Sequence, residues 1–568
     1  MSLNAELRDF DTVEVRGAGS AFLKVKSWIV SMIGIDGIMP SAKEVLRLSA
    51  SDFAMLLPDM EPKPSLSPEL AIFCKAAMRA IAQHSDAREV FFDVLTREGL
   101  SIDLGSWGSK LKPHQQKAVE AMTTDGLLGM CLFDEQGTGK TLTTIAAFDV
   151  LFSRGELETL VLVGPKTLVK TWNEEFNGFL PGKYRVVEVS GSSRERMEAL
   201  RQNADVFLIS YESATSDRVA IEGLMREREA LLVIDESFMV KNSQANRSIG
   251  VESIRRFASR AFILCGTPAP NNAYDLVHQF DLADMGFTFK TFKKTKNLEV
   301  DAKEIEHRVM TRGTFIRRTK DLVLPELATK DFEVVECPMT PLQSELYEKA
   351  KRDLVLFLRR LDNTSFRREL GTYFQKRAVL TQVSVSPALI GAAEIDSGKY
   401  QKLKDLVNDF MAASGDRKII IWSAFTKSSD HIQEMFKQFG LVRVDGTNKD
   451  ADERQAAIVA FQSDPKIRVF LGNPAAAGAG LTLTAADTAI YVSISNQAAT
   501  YMQSIDRIHR IGQKASVVSY KILISAGTVD KSDVARISRK QTAQSWILGD
   551  GQLGGLDLDQ ALAELVGD

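Results

Sequence analysis

Asp134-Glu135-Gln136-Gly137-Thr138-Gly139-Lys140-Thr141 follows the apolar run Leu127–Phe133 and precedes a helical pattern over Leu142–Leu151. A strand, a glycine-bearing turn and a helix in that order make a phosphate-binding loop. Gly137 and Gly139 let the backbone curl until its N–H groups face an anion, and the helix N-terminus adds a favourable dipole. Gln136, Gly137, Thr138, Gly139, Lys140 and Thr141 are thus the candidate nucleotide-binding residues, with Lys140 on the β- and γ-phosphates of ATP and Thr141 on Mg2+. The strict pattern opens with glycine; Asp134 stands in that place.

Working outward, short runs rich in Val, Ile and Leu recur at Leu160–Val163, Val206–Ile209, Leu231–Ile234 and Ala261–Leu264, separated by amphipathic stretches. That alternation predicts an α/β fold with a parallel sheet covered by helices on both faces. A second set, Ile419–Trp422, Leu441–Val444, Val469–Leu471, Ile490–Val492 and Val517–Ile524, predicts a second α/β lobe. Between them, Thr340-Pro341-Leu342-Gln343 reads as a helix start with a capping box, and Leu342, Leu346, Ala350, Leu354 and Leu358 fall on one face.

Leu231-Leu232-Val233-Ile234-Asp235-Glu236 ends a buried strand in two carboxylates, about 95 residues after Lys140. Opposite a phosphate loop, Asp235 can hold Mg2+, partly through its waters, and Glu236 can polarise the attacking water; phosphoryl transfer needs such positioning and charge neutralisation. In Gln503-Ser504-Ile505-Asp506-Arg507-Ile508-His509-Arg510, the two arginines are three apart and would share a helical face. Two guanidinium groups on a second lobe can stabilise transition-state charge, which makes Lys140, Asp235, Glu236, Arg507 and Arg510 the candidate catalytic set. His509 reads as a structural polar residue rather than a base.

These motifs, in this order and separation, resemble the superfamily-two helicase ATPases, and more narrowly the Swi/Snf-type double-stranded DNA translocases, over about residues 110–540. The resemblance implies two RecA-like lobes of the P-loop NTPase type. Leu111-Lys112-Pro113-His114-Gln115 is similar to the adenine-reading segment, with Gln115 as the reader. Pro165-Lys166-Thr167 followed by Trp172 resembles a first-lobe DNA-contact motif, and Ser210-Tyr211-Glu212 the next one. Gly266-Thr267-Pro268 resembles the segment that couples hydrolysis to movement. Phe315-Ile316-Arg317-Arg318-Thr319-Lys320 resembles the basic segment closing the first lobe. Gly480 to Asp487, with Gly480 at the nucleotide and Thr484 toward DNA, resembles the second-lobe motif before the arginines, and Gln503 opens the last one. Two departures stand out. Ser237-Phe238 replaces the family's Ala-His, whose histidine links the ATP site to the coupling segment. Ser495-Asn496-Gln497-Ala498 replaces a Trp-Asn-Pro that tracks DNA.

The resulting division is an accessory domain of unknown role over 1–104, a first lobe over 105–330, a second lobe over 331–545 with a helical insertion at about 340–395, and an acidic tail over 546–568. In the first part, prolines around Met60–Ser67 read as a linker or exposed loop and Pro68–His84 as a helix. With 71 Lys+Arg against 74 Asp+Glu, the net charge of −3 means that nucleic-acid binding must rest on local patches. One such stretch, Lys290–Lys320, holds ten basic against four acidic residues. The four cysteines are scattered, which argues against zinc and for a reducing compartment. The N-terminus lacks a signal-peptide pattern, and Ile29–Ile35 is far short of the roughly 20 apolar residues a span needs. A cytoplasmic protein, or a nuclear one if eukaryotic, is expected, and the compactness of the chain leans toward a bacterial or viral source.

The resemblance implies an ATP-dependent translocase, acting as a monomer on duplex or branched DNA, that remodels DNA structures or protein–DNA complexes, with protein partners reaching it through the accessory domain. Two other readings stay open: a strand-separating helicase on DNA or RNA, and an ATP-gated clamp or partner-recruiting module with little turnover, which Phe238 favours.

Overall fold

The computed structural model describes residues 3–535 apart from 9–11, 34–37, 40, 270–271, 291, 296, 414, 449, 476–480 and 495–497. Gly480, the replaced Trp-Asn-Pro stretch at 495–497 and the acidic tail lie outside the described residues. The chain divides into two units, Met1–Asp134 with Gly139–Arg318, and Thr319–Asp568, with which Glu135–Thr138 groups.

The first unit is built on seven strands: β5 (Gly129–Leu132), β6 (Thr159–Gly164), β7 (Val186–Val189), β8 (Val206–Ser210), β9 (Ala230–Asp235), β10 (Arg260–Leu264) and β11 (Phe315–Ile316), in the spatial order β11-β5-β10-β9-β6-β8-β7. All pairs are parallel. The five central strands are buried at every position, which is why they read as unbroken apolar runs. β10 lies between β5, which feeds the phosphate loop, and β9, which ends in Asp235.

Ahead of them, β1 (Asn4–Leu7), β2 (Thr12–Arg16), β3 (Val45–Ser49) and β4 (Ser65–Leu66) form a mixed sheet in the order β3-β2-β1-β4. Its inner face is filled by Val13, Val15, Leu46 and Leu48 and packs on Phe22, Val25, Ile29, Phe53 and Leu70. Around Met60–Ser67 the exposed-loop alternative applies to Glu61–Lys63, while the linker alternative is corrected: Met60 is fully buried and Ser65–Leu66 pairs with β1. Ser67 caps the next helix through the Leu70 N–H, with Pro68 in its first turn, and that helix runs on to Thr96, well past His84. It is tied to the seven-stranded layer by Arg88, which donates to Gly313 O and Met310 O, and by His84 Nδ1, which accepts from Leu128 N–H at 3.2 Å.

The second unit carries six parallel strands: β12 (Thr329–Cys337), β13 (Lys418–Trp422), β14 (Leu441–Val444), β15 (Val469–Gly472), β16 (Ala486–Tyr491) and β17 (Val517–Ser525), in the order β12-β17-β16-β13-β15-β14. Thr340 and Gln343 form the expected capping box for the helix Pro341–Leu358. Of the expected stripe, Leu354 and Leu358 are buried and Leu346 and Ala350 pack against the same cluster, but the first turn departs. Leu342 is 59% exposed, while Gln343, Tyr347, Leu354 and Leu358 are buried. Gln343 is accommodated because its amide donates to Val383 O and accepts from Gly398 N–H.

Candidate ATP site

The helix after the phosphate loop runs Lys140–Ser153, with Gly139 as its N-cap at φ +87°. Gly137 has φ +84°, so both glycines sit in the left-handed region that side chains resist. A Cβ on Gly139 would also lie 2.3 Å from Gln115 Nε2, which donates to Gly139 O at 3.2 Å. Gln115, the expected adenine reader, accepts from Lys112 N–H at its other end and so joins the start of its own helix to the loop. Lys140 Nζ donates to Asp134 O at 2.8 Å and closes the loop on itself. Gln136 and Thr138 are buried and Thr141 half-buried beside it. These groups fit a nucleotide phosphate chain: a curled backbone, a helix N-terminus and a lysine that can turn outward.

The unusual Asp134 has a local purpose. Its carboxylate accepts from Arg318 Nε and Nη2, the latter at 2.5 Å, and Arg318 Nη1 also holds His114 O. Arg317 donates to Phe133 O at 2.6 Å and to Gly266 O at 3.1 Å. The two arginines expected in coupling or DNA contact thus spend their guanidinium groups within the fold, gripping the strand end that carries the loop.

Asp235 ends β9 and is 8% exposed. Its Oδ2 accepts from the Trp172 indole N–H at 2.9 Å and its Oδ1 from Glu236 N–H. Burial pushes the carboxyl up from its ordinary value, while the Trp172 hydrogen bond and the Lys140 charge pull it back toward the ionised form that a cation needs. Glu236 adopts φ +52°, unusual for a side-chain-bearing residue and the kind of strain found where a side chain is aimed for chemistry. Tyr211 is fully buried and its hydroxyl donates to Asp235 O at 2.8 Å, which puts it behind the carboxylate pair rather than at a nucleic-acid surface. Ser210 caps the helix that Tyr211 begins. Lys166 and Thr167 are exposed, with Pro165 half-buried at their helix N-cap. Gly266 and Thr267 follow β10, both buried, and the Thr267 hydroxyl has no hydrogen-bond partner.

In the second unit the arginines do not lie on a helix. The helix Ala498–Ile505 stops short of them, and Asp506–Arg510 form a tight turn. They converge nonetheless: Arg507 Nη1 and Arg510 Nη1 both donate to Leu481 O, at 3.3 and 3.1 Å. Gln503 is buried in the preceding helix, and Thr484 accepts from Gln462 at 3.5 Å. His509 is structural, with Nε2 2.7 Å from Ala328 O, and burial pushes it down to about 4, which keeps it neutral.

Residues 114–385 match the SNF2-related domain family, and residues 398–512 match the helicase conserved C-terminal domain family. The chain belongs to the SNF2-related ATPases. It is 27% identical over 82% of its length to the DNA excision repair protein ERCC-6-like of Bos taurus. It is 26% identical over 78% of its length to the DNA repair and recombination protein RAD54-like of Homo sapiens. The chain spans 43% of the first relative and 67% of the second. It is also similar to the solved SWI2/SNF2 ATPase core of Sulfolobus solfataricus in complex with dsDNA, at 24% identity and a TM-score of 0.36, covering 80% of this chain and 97% of that one. Among the described residues of this SNF2-related ATPase, no helix is long and apolar enough to cross a membrane.

Two residues of the ATPase escaped motif reading as site residues. Trp172 was legible only as part of a DNA-contact pattern, yet it fixes Asp235. Lys320, the last residue of the basic segment, is 1% exposed and donates to Asp506 Oδ1 at 2.5 Å and His509 O at 2.6 Å, either side of Arg507. Burial pulls this lysine down to about 8, against the attraction of Asp506. ATP turnover is therefore expected to fall as pH rises through about 8, where the ammonium is lost, and Lys320→Arg should flatten that limb. The unfolded chain keeps this proton up to its ordinary value near 10.5, so for this group alone the fold gains stability as pH rises from about 8 toward 10.5. Turnover should thus decline while the circular-dichroism melt does not.

Proposed function

We propose that this SNF2-related ATPase is a motor that hydrolyses ATP to move along duplex DNA and remodel DNA structures or protein–DNA complexes. The observation that supports this reading is that each unit by itself keeps the charged groups such a motor uses. In the first, Lys140 is anchored on the phosphate loop and Asp235 accepts from Glu236 N–H; in the second, Arg507 and Arg510 converge on one carbonyl. A chain that only bound nucleotide would not need all five. Bound Mg2+ would be held by Thr141 and, partly through water, by Asp235, and would neutralise charge on the phosphates. Lys140 orients the β- and γ-phosphates, Glu236 takes the proton from the attacking water, and Arg507 and Arg510 stabilise the charge that develops.

DNA would be held mainly through phosphates, with exposed Lys166 and Thr167 among the first-unit contacts; such binding has little sequence preference and weakens steeply with salt. The accessory domain is the proposed seat of partner choice, and the protein is proposed to act as a monomer in the cytoplasm or nucleus. A clamp with little turnover is the second reading, favoured by Phe238, which has no hydrogen-bonding group to offer the coupling segment.

Steady-state hydrolysis should be measured with no nucleic acid, duplex DNA, single-stranded DNA and RNA, with Lys140→Ala as the blank. Stimulation of about tenfold or more by duplex DNA, lost in the blank, is the expected result. Stimulation only by single strands or RNA would move the assignment to a strand-separating helicase. ATP binding with no stimulated turnover would support the clamp.

A further inference from the structure

Ser237 follows Glu236 directly, and its side chain is fully buried. The Ser237 hydroxyl donates to Gln279 Oε1 at 2.6 Å. Gln279, on the helix Tyr274–Asp284 and also fully buried, donates through Nε2 to Pro268 O at 2.6 Å and to Asp275 O at 2.5 Å. The two carbonyls can only accept, so the amide nitrogen must face them and Oε1 must face Ser237; the orientation is fixed by its partners. Pro268 belongs to the segment leaving β10, between the strand of the phosphate loop and the strand of Asp235. Next to it, Thr267 carries a buried hydroxyl with no partner, so this segment has a hydrogen bond to gain by moving.

We propose that Ser237 and Gln279 form the link that carries the state of the ATP site from Glu236 to Gly266–Pro268 and the helix Tyr274–Asp284. Phe238, the neighbouring residue, has no group that could do so. The proposal rests on the motor reading above. Any shift of the Glu236–Ser237 backbone when water attacks is passed to Gln279 by a short buried hydrogen bond, and Gln279 has no slack to absorb it because both its amide hydrogens are held. Ser237 and Gln279 are positioning residues: neither needs to touch ATP, and their loss should uncouple movement from hydrolysis rather than stop hydrolysis.

The test uses the full chain and two readouts, ATP turnover and displacement of a third strand from triplex DNA. In Ser237→Ala/Gln279→Leu both ends of the hydrogen bond are removed together, so neither side chain is left as an unpaired partner of the other, while Pro268 O also loses its donor. This variant should keep KM for ATP and basal turnover within about twofold, yet displace about tenfold or more fewer third strands per ATP hydrolysed. Ser237→Ala alone, which deletes a single oxygen, should show the same direction of change in a protein whose melting temperature matches the parent. Ser237→Thr, which restores the hydroxyl, should recover displacement. Unchanged displacement per ATP in folded Ser237→Ala or in the double variant would overturn the link, as would parallel loss of displacement and basal hydrolysis. A parent protein with no DNA-stimulated turnover would overturn the motor reading, and the link with it; stimulated turnover in the parent with unaltered variants would overturn the link alone.

Discussion

Glu236→Gln is expected to lower ATP turnover by about 10²- to 10⁴-fold while leaving ATP affinity nearly intact. The substitution preserves shape, so the left-handed backbone at this residue and the Tyr211 bond to the preceding carbonyl have no reason to change. What it removes is the carboxylate proposed to draw a proton from water as the phosphorus–oxygen bond forms. Lys140→Ala should behave differently, losing binding and turnover together, because the lysine is proposed to meet the phosphates in the ground state as well as in the transition state. Single-turnover hydrolysis alongside nucleotide-binding fluorescence separates the two. Turnover within tenfold of the parent in Glu236→Gln would remove Glu236 from the mechanism. If DNA-structure remodelling survived the loss of turnover, the clamp reading would replace the motor.

The second large effect concerns Arg255, which is 2% exposed and touches no nucleotide-site residue. Its guanidinium donates to four carbonyls: Leu282 O at 2.6 Å, Ala258 O at 3.0 Å, and Leu128 O and Ala283 O at 2.9 Å. Leu282 and Ala283 belong to the last turn of the helix Tyr274–Asp284, where a cation is favoured by the helix dipole, and Leu128 leads into β5. The same cation faces Asp284, whose carboxyl burial pushes up to about 6. Arg255→Met should therefore destabilise the first unit by about 3–5 kcal/mol, since it strands several buried acceptors and a buried acid at once. Arg255→Lys should recover little, because one ammonium cannot reach four carbonyls spread around a planar fork. In calorimetry, the transition of the first unit should move down while that of the second stays, a pattern expected of a two-unit chain. A shift of both, or of neither, would contradict this account.

The central strands of the first sheet and β13 and β15 of the second were legible because each is buried on both faces, while β16 and β17 showed through their apolar ends, Ala489–Tyr491 and Ile522–Ile524. The strands that escaped are marginal ones. β7 alternates burial along Val186–Val189, β11 has two residues, and β12 keeps most of Thr329–Cys337 exposed at the sheet edge, so no apolar run marks it. The accessory sheet escaped for a similar reason: its strands are short and alternate charged with apolar residues, a pattern that acquires meaning only once β2 has found β1 and β3.

Within the site, the division follows sequence separation. Lys140, Thr141, Asp235, Glu236, Arg507 and Arg510 can be proposed as candidates from the sequence because the chemistry they would perform is written locally. The phosphate loop needs consecutive backbone N–H groups, the carboxylate pair needs the end of a strand, and the arginines need only a few residues of spacing. The arginines lie on a turn and not on the helix their spacing predicts, yet they converge on one carbonyl, since a turn can aim two side chains as well as a helix can. The partners that hold these groups in place were decided by the tertiary structure alone: Trp172 on Asp235, Arg318 on Asp134, Gln279 on Ser237. Each joins residues that are far apart in the chain, and a hydrogen bond of under 3.5 Å has no sequence signature until folding brings its two ends together.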